Sequence, residues 1–146
     1  MRPIRESLAG VHVLLIDDNE DTLEIIGSSL RRAGAVVTVA HNGAEALNQL
    51  KLPRADVIVT DLSMPVIDGM EFLSRLRGHR GQDQAPTPVI AFTAFPDKYD
   101  PRHAKGAGFS SYLVKPVEPD RVALEVRRVF DHTYSPLRDD DLDLSA

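Results

Sequence analysis

Three acidic side chains, a hydroxyl and an amine stand at the ends of short apolar runs in this sequence. Asp17 and Asp18 follow Val13-Leu14-Leu15-Ile16, and Asp61 follows Val57-Ile58-Val59-Thr60. Thr93 closes Val89-Ile90-Ala91-Phe92, and Lys115 follows Tyr112-Leu113-Val114. If those run ends meet, the carboxylates repel one another: at an effective dielectric of about 20, each pair at ~4 Å costs ~4 kcal/mol. One lysine offsets part of that. A hard divalent cation with oxygen ligands offsets the rest, and Mg²⁺ typically takes one or two carboxylates and keeps several waters. Zinc fits less well, because the chain has no cysteine and its five histidines are scattered. A carboxylate can also act as a nucleophile and form an acyl phosphate. Phosphoryl transfer then needs mainly positioning and neutralisation of the equatorial oxygens, for which a metal, a lysine and a hydroxyl donor are the parts.

Each residue alone has a plainer reading. Paired aspartates after a strand commonly cap a helix, a single Asp at a strand end is turn chemistry, Thr93 is an ordinary strand-end residue, Lys115 a solvated charge and Tyr112 core. Their conjunction at four strand ends carries the functional reading.

The elements that must position them alternate. Val11–Ile16, broken only by His12, reads as a strand, and Leu23, Ile26 and Leu30 then mark a helix that Gly34 stops. Val36–Ala40 is a second strand, with Asn42 suited to cap a helix carrying Ala44, Leu47 and Leu50. Val57-Ile58-Val59 is a third strand, and Phe72, Leu73 and Leu76 give the next helix its stripe. Arg77 to Pro88, with Gly78, Gly81, Pro86 and Pro88, reads as a long loop. Val89–Phe92 is a fourth strand. Pro101 suits the first turn of a short helix that Gly106 and Gly108 would end. Tyr112-Leu113-Val114 is the fifth strand, and Val122, Val126 and Val129 stripe the last helix. Such alternation predicts an α/β architecture, a doubly wound five-stranded parallel sheet of (βα)5 type in a single domain. The flavodoxin-like order 2-1-3-4-5 is the simplest, and it places all strand C-terminal ends along one ligand-binding edge.

Bulk composition agrees. The 146 residues, 42% apolar and 27% charged, suit one ordinary folded domain. The absence of cysteine excludes disulfides and thiolate metal sites and fits a cytoplasmic location. No signal peptide or bilayer-spanning run is visible near the start, so membrane insertion is not expected. Net charge is −5, and Thr133–Ala146 carries −3 of it through Arg138 and four aspartates. No basic face remains to support direct nucleic-acid binding. The expected organisation is a leader over 1–9, one domain over 10–132 and an acidic flexible tail over 133–146. The histidines His12, His41, His79, His103 and His132 are read as surface residues, and Asp139–Asp141 as solvated tail.

From roughly Gly10 to His132 the chain resembles the receiver domains of response regulators. The likeness rests on Leu14-Leu15-Ile16-Asp17-Asp18, on Asp61 within Val59-Thr60-Asp61-Leu62-Ser63-Met64-Pro65-Val66-Ile67-Asp68-Gly69, on Thr93-Ala94, on Gly106-Ala107-Gly108-Phe109 and on Tyr112-Leu113-Val114-Lys115-Pro116. The resemblance implies a two-component signalling module, with Asp61 as phosphoacceptor. It implies Mg²⁺ (or Mn²⁺) on Asp18, Asp61 and the Ser63 carbonyl, with Asp17 acting through water. It further implies phosphoryl contacts from Lys115, Thr93 and the N–H groups of Leu62 and Ala94, and a cis bond before Pro116. Thr93 and Tyr112 would form the switch, read out through the fourth helix, fifth strand and fifth helix. Such a module catalyses only its own phosphorylation and dephosphorylation. Its partners would be a histidine kinase or histidine phosphotransfer protein and a downstream protein target. Ser63 and Phe95 occupy positions that line the approach of a hydrolytic water. The family includes stand-alone regulators and receivers of hybrid kinases, and the sequence does not choose between them.

An aspartyl-phosphate phosphatase of the haloacid dehalogenase type is the alternative. That class needs a second Asp two residues after its nucleophile; position 63 is Ser, and Asp17 and Asp18 are adjacent rather than one apart. A nucleotide-binding module lacks support, since neither G-x-G-x-x-G nor G-x-x-x-x-G-K-[ST] occurs.

Overall fold

A computed structural model describes residues 7–49, 54–80 and 87–134, with the side chains of His79 and Arg80 excepted. Ten elements alternate along the chain: β1 (His12–Ile16), α1 (Glu20–Arg32), β2 (Val36–Ala40), α2 (Gly43–Gln49), β3 (Val57–Asp61), α3 (Gly69–Arg80), β4 (Val89–Thr93), α4 (Pro101–Ala107), β5 (Ser111–Val114) and α5 (Pro119–Tyr134). The strands form one parallel sheet in the order β2-β1-β3-β4-β5.

Strand alternation divides the core between the two faces of the sheet. Val13, Leu15, Val57, Val59, Ile90 and Phe92 pack against α1 and α5 with Leu23, Ile26, Val122 and Val126. Their neighbours Leu14, Ile16, Ile58, Val89 and Ala91 face the other way, towards Phe72, Leu73 and Leu76 of α3. Because side chains alternate with period two along a strand, covering both faces turns each central strand into an unbroken apolar run, as β3 and β4 show.

Local chemistry sets most element ends. The Asn19 side chain accepts from the Thr22 N–H and caps α1. Gly34, at φ 103°, lies where a Cβ would stand 2.9 Å from the Ala9 backbone nitrogen, so the turn into β2 requires glycine. Asn42 accepts from the Glu45 N–H ahead of α2. Pro101 opens α4 behind an Asp100 cap, and Gly108 closes it in the left-handed region.

The third helix runs through Arg80, past the expected loop start at Arg77. Gly78 is exposed, and a Cβ there would meet nothing within 4 Å. Its effect is then only the weak helix propensity of glycine, about 1 kcal/mol, and the buried Phe72-Leu73-Leu76 stripe outweighs it. Likewise Gly106 lies inside α4, and Gly108 alone ends it. The loop residues Gly81 and Pro86, the run Asp139–Asp141, and the leader before Ser7 lie outside the described residues.

The packed unit reaches beyond 10–132 at both ends. Leu8 is fully buried in the α1–α5 layer, its N–H donates to the Ala33 carbonyl at 2.7 Å, and Arg127 donates to the Ser7 carbonyl. At the other end α5 continues to Tyr134, whose hydroxyl donates to the Asp56 carbonyl at 2.7 Å.

Glu125 is the one acidic residue on the inward stripe of α5, only 5% exposed. Arg128 pairs with it at 2.6 Å, and Ser111 and Arg121 also donate to it. The Arg128 hydrogen bond, helped by those of Ser111 and Arg121 and opposed by burial, lowers its pKa to about 2. A lowered carboxyl pKa stabilises the fold above the unfolded value near 4.5 and ceases to do so as pH falls through about 2. After allowance for solvent screening of the two exposed arginines, that is about 1–2 kcal/mol. In urea titrations Glu125→Gln should therefore be less stable than the native chain by about that amount at pH 6 to 7. The gap should close progressively below pH 4.5.

Candidate functional site

Parallel pairing brings the C-terminal ends of β1, β3, β4 and β5 to one sheet edge, and the sequence places a reactive side chain at each. Asp17 follows β1 and is 1% exposed, with its Oδ1 accepting from the Asn19 N–H at 2.9 Å. Asp61 ends β3 and is 6% exposed. Lys115 follows β5 and reaches across the edge, its Nζ 2.7 Å from Asp17 Oδ2 and 3.7 Å from Asp61 Oδ2. The ammonium also lies 4.9 Å from the centre of the Phe92 ring, which supports it from below. Asp18 is exposed at the mouth. One carboxylate oxygen from each of Asp17, Asp18 and Asp61 lies within 4.8 Å of the others.

This crowding has an electrostatic signature. Burial, then the charge of Asp17 and more weakly that of Asp18, push the Asp61 carboxyl up to about 6. Lys115 and the Ser63 N–H, which donates to Asp61 Oδ1 at 3.2 Å, act the other way without cancelling them. The basin is short of positive charge. Three clustered carboxylates, one open to solvent, form an oxygen donor set that suits a hard divalent cation such as Mg²⁺ better than a soft one.

The remaining expected residues border this basin. Thr93 is fully buried at the end of β4, and its Oγ1 accepts from the Phe95 N–H at 2.9 Å. Leu62 and Ala94 are the first residues after Asp61 and Thr93, at the start of the β3–α3 and β4–α4 loops. Ser63 lies two residues after Asp61 in the same loop, and the Lys115–Pro116 bond is cis. Tyr112 stands apart from the carboxylates: it is half-buried against the α3-side core, and its hydroxyl donates to the Tyr99 carbonyl.

Three residues take part here in ways their sequence context does not specify. Gly69 is wedged against the phosphoacceptor candidate, since a Cβ there would lie 2.6 Å from the Asp61 carbonyl oxygen. Its position in Asp68-Gly69 after a strand was the available signal. Phe92, expected in the fourth strand, is core and also the platform for Lys115. His41, at the surface as expected with 43% of its side chain exposed, hydrogen-bonds Glu45 and Glu20, and those two carboxylates raise its pKa.

A parallel α/β sheet whose carboxy edge gathers such a basin describes a two-component signalling domain. The chain belongs to the response regulator receiver domain family, whose pattern matches residues 13–127. It is 38% identical over 115 residues to an uncharacterized 14.6 kDa protein in the sodA1 3' region of Leptolyngbya boryana, a match covering 78% of this chain and 86% of that one. To the alkaline phosphatase synthesis transcriptional regulatory protein PhoP of Bacillus subtilis it is 30% identical, covering 80% of this chain but only 47% of PhoP. Among solved structures, the chemotaxis response regulator CheY4 of Vibrio cholerae superposes with a TM-score of 0.70 at 32% identity, covering 82% of this chain and 98% of that one. The fold expected from the sequence is the fold found, and the phosphatase alternative is not favoured.

Proposed function

We propose that this chain accepts a phosphoryl group on Asp61 from a phosphohistidine of a histidine kinase or histidine phosphotransfer protein, and signals through protein contacts. The observation that carries the proposal is the Lys115 ammonium bridging Asp17 and Asp61 within a basin of three carboxylates. Asp61 Oδ would form the new P–O bond as the donor P–N bond breaks, the imidazole leaving with the bonding pair and taking a proton from water. Asp17, Asp18, Asp61 and the Ser63 carbonyl would hold Mg²⁺ or Mn²⁺, Asp17 through water. When bound, the cation supplies charge neutralisation at the phosphoryl oxygens. Lys115 would exchange its Asp17 contact for a phosphoryl oxygen, Thr93 would donate its hydroxyl to a second, and the N–H groups of Leu62 and Ala94 would complete the cradle.

The modification adds about −1.5 to −2 charges. Drawing Thr93 towards it would break the Phe95 N–H contact that shapes the β4–α4 loop. Tyr99, whose carbonyl holds Tyr112, lies in that loop, which supports Thr93 and Tyr112 as the two ends of one switch opening onto α4, β5 and α5. In this reading a receiver unit centred on residues 10–132, whose last helix runs to Tyr134 ahead of an acidic segment, acts in the cytoplasm and catalyses no reaction beyond its own phosphorylation and dephosphorylation. Among the described residues no helix is long and apolar enough to cross a membrane.

Incubation with acetyl phosphate and Mg²⁺, followed by intact mass, tests the proposal. One phosphoryl group should be gained, and none when the divalent cation is chelated. Uptake that is indifferent to chelation would refute the cation-assisted site.

A further inference from the structure

The loop after Asp61 contains a backbone conformation that packing does not repay. Val66 has φ 70°, and the Ile67 N–H donates to the Pro65 carbonyl at 2.8 Å, closing a γ-turn with Val66 at its apex. A β-branched side chain is among the poorest occupants of that region, whereas glycine and asparagine enter it readily. The fold returns nothing for the choice, because the Val66 side chain is 87% exposed. The turn is held from both sides. Ile67 is buried so close to α2 that a Cβ on Gly43 would come within 3.0 Å of it. Gly69, two residues further on, packs against the Asp61 carbonyl. Strain maintained by over-determined surroundings is characteristic of functional sites.

The position narrows the function. Phe95, just after β4, and Ile25, on α1, are also apolar and 54% and 55% exposed. Ile25 lines the same cavity as Lys115, and with the divalent cation proposed above the three carboxylates of the basin face the ammonium and two further positive charges. Charge in the cation-loaded basin is then about balanced, so its field does little to draw in an anionic phosphorylated protein. Apolar contact on the rim supplies attraction of a kind that charge does not oppose. A small phosphodonor needs no such contact. Resting on the phosphoacceptor reading above, we propose that Val66 is a specificity-determining residue for the protein phosphodonor, held outward to press on an apolar surface beside that donor's phosphohistidine.

Val66→Asn and Val66→Gly, both compatible with positive φ, separate this role from a structural one. A panel of purified, phosphorylated histidine-kinase cores is screened on the native chain, and the fastest is kept as donor. Both variants should unfold at higher temperature than the native chain and take phosphate from acetyl phosphate within twofold of its rate. Transfer from the kinase core should slow at least tenfold. Unchanged transfer from the core would overturn the proposal, as would equal slowing with both donors, which would make Val66 a prop for the loop. A panel in which no core outpaces acetyl phosphate would overturn it too. If the native chain takes no phosphate even from acetyl phosphate, the phosphoacceptor reading fails instead, so the two failures are distinguishable.

Discussion

Asp61→Asn should take up no phosphoryl group and yet, without divalent cations, be more stable than the native chain. The second half follows from the raised carboxyl. Burial and the neighbouring acids lift Asp61 from 3.8 to about 6, so ionising it at neutral pH works against the fold. A raised carboxyl pKa lowers stability above its folded value, and that loss disappears as pH falls from about 6 towards 3.8. The difference corresponds to at most about 3 kcal/mol. Urea unfolding in a chelator should therefore favour the Asn variant by about 1–3 kcal/mol at pH 7.5, the gap closing below pH 4. Added Mg²⁺ should reverse the ranking by stabilising the native chain alone, since a ligand stabilises only the state that binds it. Equal stability at pH 7.5 would mean that the Asp61 charge is already neutralised by Lys115.

Lys115→Met should have the second large effect, in the opposite direction. Methionine keeps much of the apolar stem over Phe92 and removes the ammonium 2.7 Å from a carboxylate only 1% exposed. Breaking one side of a buried pair typically costs about 3–5 kcal/mol. A loss near the lower end is expected here, because Lys115 itself retains 19% exposure. Saturating Mg²⁺ should recover part of it by supplying the missing positive charge. Phosphoryl uptake should fall about 10²–10³-fold even then, the usual effect of deleting one preorganised donor to a charged transition state. A variant as stable as the native chain in chelator would show the bridge to be a solvated surface pair.

Much of this was legible because the reactive residues punctuate the apolar runs. Asp17, Asp61, Thr93 and Lys115 each follow a stretch that can only be a buried strand, and parallel topology then places their ends together. Sequence spacing carries no information about distance across the sheet, so the choice of Lys115 to lie nearer Asp17 than Asp61 was not readable. Leu8 falls in the expected leader because one large apolar residue between Ser7 and Ala9-Gly10 has no period; its burial depends on a turn at Gly34 and on Arg127, both distant in sequence. Glu125 did leave a signal. With Val122, Val126 and Val129 it completes the spacing i, i+3, i+4, i+7, so an acid on that stripe implied a buried carboxylate in need of arginine. The positive φ of Val66 left none, since valine is a residue that local rules would keep out of such a turn.

The acyl phosphate itself can be located on the chain. Borohydride reduction after loading with acetyl phosphate and Mg²⁺ converts a phosphorylated aspartate to homoserine, and peptide mass mapping identifies the position. Homoserine at 61 alone is the predicted result. Homoserine at 17 or 18, or none at any position in a chain that has gained phosphate, would contradict the assignment of Asp61 as the phosphoacceptor.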